Sequence, residues 1–103
     1  MAWFTAGVQV NPAAGAVLAD SGALAAGQTE VTVIFGGNIA AVATIEHRNA
    51  ANTANLNSQV IACLANDVIQ AKLPGVPIAA SERIRVTLNA TIVGSVQASV
   101  FVF

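Results

Sequence analysis

The chain has 103 residues, of which 55% are hydrophobic and only 9% are charged, and its formal net charge is −1. This length allows one domain, residues 1–103, and the four Lys and Arg residues are too few to neutralise a run of phosphates, which argues against nucleic acid as a partner. Because soluble domains usually carry about 25% charged residues, we expect this bland surface to be covered by further copies of the chain in a homo-oligomer.

The N-terminal third contains short extended segments separated by turn residues. WFTAGVQV, residues 3–10, predicts a strand that ends before Pro12, since proline lacks the N–H that a sheet requires. The Asp-Ser-Gly triplet at residues 20–22 predicts a turn between two short extended pieces. In TEVTVIF, residues 29–35, apolar and polar residues alternate, which is typical of a strand with one buried face. Gly-Gly-Asn at residues 36–38 then predicts a turn.

The middle of the chain combines further strand signals with many asparagines. IAAVATIEHR, residues 39–48, predicts a strand, and the asparagines of residues 48–57 suit a chain that leaves a sheet edge, because asparagine tolerates left-handed backbone. In SQVIACLANDVIQAKL the apolar positions also suit a helix. The pattern favours a strand over residues 57–64 and a short turn at 65–67, and the prolines and glycine of residues 74–77 predict a loop.

The C-terminal part has the clearest alternation. ERIRVTLNATI, residues 82–92, predicts a strand with one face in the core. A reversal at residues 93–95 and renewed alternation over 96–103 predict that the last two strands form an antiparallel hairpin, although an earlier turn at 89–91 remains an alternative. Many short strands and few helix signals together predict an all-β protein, a β-sandwich or barrel.

The residues that carry chemistry are few. No feature of the sequence brings His47 and Cys63 together or supplies a third orienting group, so we expect no enzyme activity. One histidine, one cysteine and five scattered carboxylates show no ligand spacing, so we expect neither metal nor cofactor. The charge-free runs 1–19 and 86–103 are interrupted by polar residues, so we expect no membrane segment, and without an export signal we expect synthesis in a cytoplasm.

The cluster EHRNAANTANLN, residues 46–57, is therefore interpreted as structural. Glu46 and Arg48 share one side of a strand and His47 lies opposite. We hypothesise that Glu46 or Arg48 forms an ion pair across a subunit boundary, and the alternative is that both are solvated charges at a strand end. The candidate partners in the second subunit are Arg83, Arg85 and Glu82.

Two strings in the last two-thirds of the chain, ATIEHRNAANTANL and ASERIRVTLNATIVGSVQASVFVF, resemble small virion proteins of tailed bacteriophages, in particular capsid decoration or cement proteins. The resemblance implies a jelly-roll or related antiparallel β-sandwich, a homotrimer on the capsid exterior, the major capsid protein as partner, and synthesis in the host bacterial cytoplasm. It transfers no functional residues. The alternative is a tail or fibre module that binds host glycan.

Large aromatic residues lie close to both ends of the chain. In a decoration protein such residues are expected to anchor the contact with a neighbour, because aromatic side chains dominate the binding energy of interfaces. The alternative for each is packing within its own domain. The candidates are Trp3, Phe4, Phe101 and Phe103.

Overall fold

The computed structural model describes residues 2–73 and 77–103, and these residues form nine β-strands and no helix. The strands pack as two antiparallel sheets in one compact domain, which confirms the predicted all-β sandwich. Their bounds are β1 (Ala2–Thr5), β2 (Gln9–Val10), β3 (Val17–Asp20), β4 (Val31–Gly37), β5 (Ala41–Arg48), β6 (Asn55–Cys63), β7 (Asp67–Leu73), β8 (Arg83–Leu88) and β9 (Ser95–Val102).

The strand order follows from one nested set of pairings. Sheet A has the order β1-β9-β4-β7, with β2 also pairing with β9, and sheet B has the order β3-β8-β5-β6. Strand β5 pairs with β6, β4 with β7, β3 with β8, and β1 and β2 with β9, so the chain resembles one long hairpin that has been rolled up. Successive pairs lie in opposite sheets. This connectivity is that of a jelly roll.

The core lies between the sheets and is built from the apolar side of each alternating strand. Val31, Val33 and Phe35 of β4 face inward, as the alternation predicts, and Ile45 and Val86 oppose them from sheet B. Burial of each such side chain is worth about 1.5–3 kcal/mol. The inward residues of β9 are also buried, namely Val96, Ala98, Val100 and Val102.

The predicted hairpin between the last two strands is wrong. Strand β8 ends at Leu88 and pairs with β3 and β5 in sheet B, whereas β9 begins at Ser95 and pairs in sheet A. The chain leaves sheet B directly after Leu88, where the N–H of Asn89 donates to the carbonyl of Val42. Residues 89–94 then cross to the other sheet. Alternation shows that a strand has one buried face, but the inner faces of two packed sheets give the same alternation.

Other sequence-based predictions are confirmed or refined. The strand predicted at residues 3–10 is divided into β1 and β2 by a break at Gly7, whose φ is 79°. The strand alternative for residues 57–64 is confirmed and the helix alternative is wrong; the turn after β6 contains Asn66 with φ of 57°. In the turn at 20–22 the Asp20 carboxylate accepts the N–H of Gly22 at 2.8 Å. Within the predicted loop 74–77, residues 74–76 lie outside the described residues.

The side of the sandwich formed by β6 and β7 is open. Each is the last strand of its sheet, so each has one side without a neighbouring strand in the part of the chain that the structure describes. The inward side chains near this opening are only half-buried, among them Gln59 of β6 and Ile69 of β7. On the opposite side β3 contacts β1 and β9, which closes the sandwich there.

Candidate functional site

The outer face of sheet B carries a group of polar side chains around Glu46. The register of β5 places Glu46 opposite Arg85 of β8, and the Arg85 Nε donates to Glu46 Oε1 at 2.9 Å. Thr87 donates to the same oxygen at 3.1 Å, and Asn55 donates to Oε2 at 2.9 Å. Burial by itself raises the pKa of Glu46, but the hydrogen bonds from Arg85 and Asn55 outweigh it and hold the pKa below its usual value.

Arg48 fastens the loop between β5 and β6. Its Nε and Nη2 donate to the side chain and carbonyl of Asn52 at 3.0 and 2.9 Å, and its Nη1 donates to Asn55 at 2.8 Å. Asn52 has a φ of 56°, as expected for asparagine in a chain that leaves a sheet edge. Within the same loop Asn49 accepts the N–H of Thr53 at 2.8 Å. These contacts make the asparagine cluster a structural element of the sheet edge.

The charged residues expected at a subunit boundary form ion pairs within one chain. Glu46 pairs with Arg85, and the Arg48 Nη1 lies 4.0 Å from Glu46 Oε2. Arg83 pairs with Asp20 of β3 at 3.3 Å. The hypothesis of ion pairs across a boundary is therefore not needed to explain these residues, because the register of β5 and β8 already brings opposite charges together.

His47 is buried in the sandwich and is only 1% exposed. Its Nε2 lies 2.9 Å from Glu82 Oε1, and this oxygen also accepts the N–H of Ala79 at 2.8 Å. The hydrogen bond from Ala79 and that with His47 hold the pKa of Glu82 below its usual value. In this position His47 joins the segment before β8 to sheet B and cannot contact a partner.

His47 and Cys63 are at opposite ends of sheet B. Cys63 of β6 is paired with Ala41, which lies six positions from His47 along β5, so the two residues are separated by roughly 20 Å. Cys63 is buried, with its Sγ 3.9 Å from the carbonyl oxygen of Ile39. Within residues 2–73 and 77–103 no group of three or more His, Cys, Asp or Glu side chains could hold a metal ion.

The outer face of sheet A is apolar and aromatic. Trp3 of β1 lies opposite Phe101 of β9, and their rings stack with centroids 6.3 Å apart and an interplanar angle of 24°. Trp3 nevertheless remains 56% exposed, and Phe103 is also exposed. Phe4 is the exception among the aromatic candidates, since it faces inward and packs against the core. We call Trp3, Phe101, Phe103 and Ile34 the aromatic face.

Two shallow grooves lie on this side of the molecule, on either side of Ile34. The aromatic groove has a volume of about 340 Å³ and is lined by Phe101, Phe103 and the aliphatic part of Lys72, among others. The amide groove has a volume of about 410 Å³. Its polar lining includes Asn38, Asn66, Asp67 and Gln97.

Sequence reasoning missed Ile34 and Val68 as surface residues. Ile34 lies between inward-facing Val33 and Phe35, so its side chain projects to the outer face. An isoleucine at a polar position of an alternating strand is a signal that the sequence did contain. Val68 follows the turn after β6, where the unclear strand or helix periodicity hid its direction.

Comparisons with known proteins give no relative: no protein-family model matches the chain, and no curated protein sequence matches it significantly. Among the described residues no helix is long and apolar enough to cross a membrane.

Proposed function

We propose that this chain is a structural virion protein of a tailed bacteriophage, a decoration or cement protein that binds the assembled capsid from outside, and that it is not an enzyme. Its partner is the major capsid protein. The observation that carries the proposal is the aromatic face, which combines a half-exposed tryptophan with further exposed apolar side chains on one flat sheet. The resemblance of the two C-terminal strings to decoration proteins supplies the class of partner.

The aromatic face has the properties of an interface centre. Trp3 is already held by its stack on Phe101, so less side-chain entropy is lost when a partner covers it. The salt bridge between Lys72 and Glu30, at 2.7 Å, lies at the end of the aromatic groove and gives the surface a polar rim. An apolar centre with a polar rim is the usual arrangement of protein interfaces.

The opposite sheet is less suited to this docking. On the outer face of sheet B, the charges of Glu46, Arg48 and Arg85 are already satisfied by one another. A coat protein that covered them would remove paired charges from water without a new partner to offset the cost. Sheet A therefore offers the more favourable docking face.

Binding of this kind stabilises a capsid by linkage. A protein that binds the assembled lattice and not the free subunits shifts the equilibrium towards the lattice, and symmetry repeats each contact many times. The function needs a rigid surface and no reacting groups. The distance between His47 and Cys63, roughly 20 Å along the sheet, agrees with a protein that has no catalytic pair.

The test is co-sedimentation with purified expanded capsids of the phage that encodes the chain. Trp3→Ala removes the proposed anchor and should weaken binding by at least about 30-fold, the effect of losing an interface residue worth about 2 kcal/mol. Leu56→Ala is the matched control, because Leu56 is 52% exposed but belongs to sheet B. Equal binding by wild type and Trp3→Ala, or no binding of the wild type to capsids, would contradict the proposal.

The amide groove gives some support to the alternative, a tail or fibre module that binds glycan. Amide and carboxylate groups, which sugar hydroxyls prefer as partners, line the groove at Asn66, Asp67 and Gln97. Saturable binding on a glycan array that is lost in Asp67→Ala and retained in Trp3→Ala would favour this alternative over capsid docking.

A further inference from the structure

Three of the four edges in this sandwich are protected against pairing with another chain, and one is not. Unpaired strand edges are usually blunted by short length, charge, proline or a bulge. Strands β1 and β3 have only four residues each, and β3 contains an irregularity in its register. Strand β7 carries Asp67 and Lys72. Strand β6 is the longest at nine residues, NLNSQVIAC, and contains no charged residue, proline or glycine.

The regular part of the β6 edge is residues 57–63. The irregularity opposite Arg48 affects only the start of the strand, and from Asn57 to Cys63 each residue pairs with β5 in unbroken register. In the part of the chain that the structure describes, β6 pairs with β5 alone. Its other side therefore presents backbone N–H and carbonyl groups at a free edge.

We propose that β6 pairs antiparallel with β6 of a second copy of this chain, about a two-fold axis at Val60. Val60 is the middle residue of the regular segment, its side chain points outward, and it is 62% exposed. With the axis there, Val60 lies opposite Val60 of the second copy, and Ser58 lies opposite Ala62. The two copies of sheet B become one continuous eight-stranded sheet.

The pairing is self-complementary in its side chains and its backbone. No charge has to leave water along residues 57–63, and β-branched pairs such as Val60 with its copy stabilise sheets by about 0.2–1 kcal/mol. The backbone supplies on the order of six to eight hydrogen bonds, within the range of about 10 ± 5 found in typical protein interfaces.

Gln59 provides a second, independent observation. Its side-chain oxygen is buried and has no hydrogen-bond partner among the described residues. Gln59 lies on the half-buried inner side of the β6 edge, next to the opening of the sandwich. In the proposed register the two copies of Gln59 are diagonal neighbours about 7–8 Å apart, within reach of long side chains. Rotation of the amides towards the axis then gives each oxygen a donor.

This inference is independent of capsid docking. The β6 edge belongs to sheet B and the aromatic face belongs to sheet A, so both can be occupied together. The resemblance to decoration proteins implied a homotrimer, whereas the edge specifies a two-fold pair. The mass in solution separates these states, and capsid binding does not enter that measurement.

The first experiment measures mass by sedimentation equilibrium over a dilution series. The wild type should give twice the monomer mass of 10.4 kDa. Val60→Lys brings two like charges together at the axis and should give the monomer mass with an unchanged circular dichroism spectrum, because the substituted side chain is exposed. Gln70→Lys, an exposed position on the β7 edge, is the matched control and should remain paired.

A second experiment tests the register and does not depend on how Val60→Lys folds. In a Cys63→Ser background, Val60→Cys places two thiols opposite each other, where Cα separations of about 4.5–5.5 Å permit a disulfide. Ser58→Cys on the same strand and face is the control. The two copies of residue 58 would be four positions apart, roughly 13 Å, which is too far for a disulfide.

The results decide the proposal as follows. A dimer that is lost in Val60→Lys, with a disulfide in Val60→Cys and none in Ser58→Cys, supports it. A wild type that is monomeric or trimeric at every dilution overturns it. So does a dimer that persists in Val60→Lys, or equal cross-linking of Val60→Cys and Ser58→Cys.

Discussion

The polar group around Glu46 should be a major source of stability, and Glu46→Gln tests this. The substitution keeps the shape of the side chain and removes its charge. Glu46 and Arg85 have side chains that are only 10% and 21% exposed, so the arginine would lose its counter-charge in a poorly solvated position. Removal of one partner from a buried pair costs about 3–5 kcal/mol. Because Arg85 retains some access to water, we expect a loss of about 3 kcal/mol, or roughly 12–24 °C in the melting temperature.

The matched control is Glu30→Gln. The Glu30–Lys72 pair is as short as the Glu46–Arg85 pair, 2.7 Å against 2.9 Å, but its side chains are 49% and 60% exposed. An exposed ion pair contributes at most about 1 kcal/mol. The assay is urea unfolding at one protein concentration, since association would add to the apparent stability. Equal losses in the two variants, or a loss below about 1 kcal/mol in Glu46→Gln, would show that burial does not set the strength of this pair.

Three further outcomes follow from the structure. The folded-state pKa values of Glu46 and Glu82 lie below the ordinary value of 4.5, so the stability that their charged forms contribute is present above pH 4.5 and is lost as the pH falls through the folded values; the advantage of wild type over Glu46→Gln in urea should disappear there. His47→Ala removes a fully buried side chain and should cost about 2–4 kcal/mol, while an unchanged urea midpoint would contradict its role as a link to the segment before β8. Gly37→Ala would place a Cβ against the carbonyl oxygen of Ser95 and should cost about 1–3 kcal/mol; a stability equal to wild type would show that β9 can shift there.

The sequence was informative about strand faces and uninformative about strand neighbours. Alternation in β4 and β9 predicted which side chains enter the core, because side-chain direction in a strand is a local property. The partner of a strand depends on contacts between distant segments. The Arg85–Glu46 hydrogen bond joins residues 39 positions apart, and no local pattern records the register that brings them together. The hypothesis of a cross-subunit ion pair failed to anticipate this pairing for the same reason.

The aromatic candidates illustrate how far strand periodicity reaches. Trp3 and Phe4 are neighbours in β1, so they must point to opposite sides of sheet A, and only one of them can belong to a docking face. The structure has Phe4 inside and Trp3 outside. Phe101 and Phe103 are two positions apart, which places them on the same side. The sequence thus contained the sorting of these residues, whereas the stacking of Trp3 on Phe101 needed the register of β1 with β9.

The rolled-up connectivity also affects how the chain can be made. Strand β9 is the last to leave the ribosome, yet it lies inside sheet A between β1 and β4. Ala2 must wait for Val102, its partner at the far end of the polypeptide, before the N-terminal strand can join a sheet. Long-range pairing of this kind makes folding slow and leaves apolar segments uncovered meanwhile. Synthesis must therefore be complete before sheet A can close, and a nascent chain that lacks its final eight or nine residues cannot form the aromatic face.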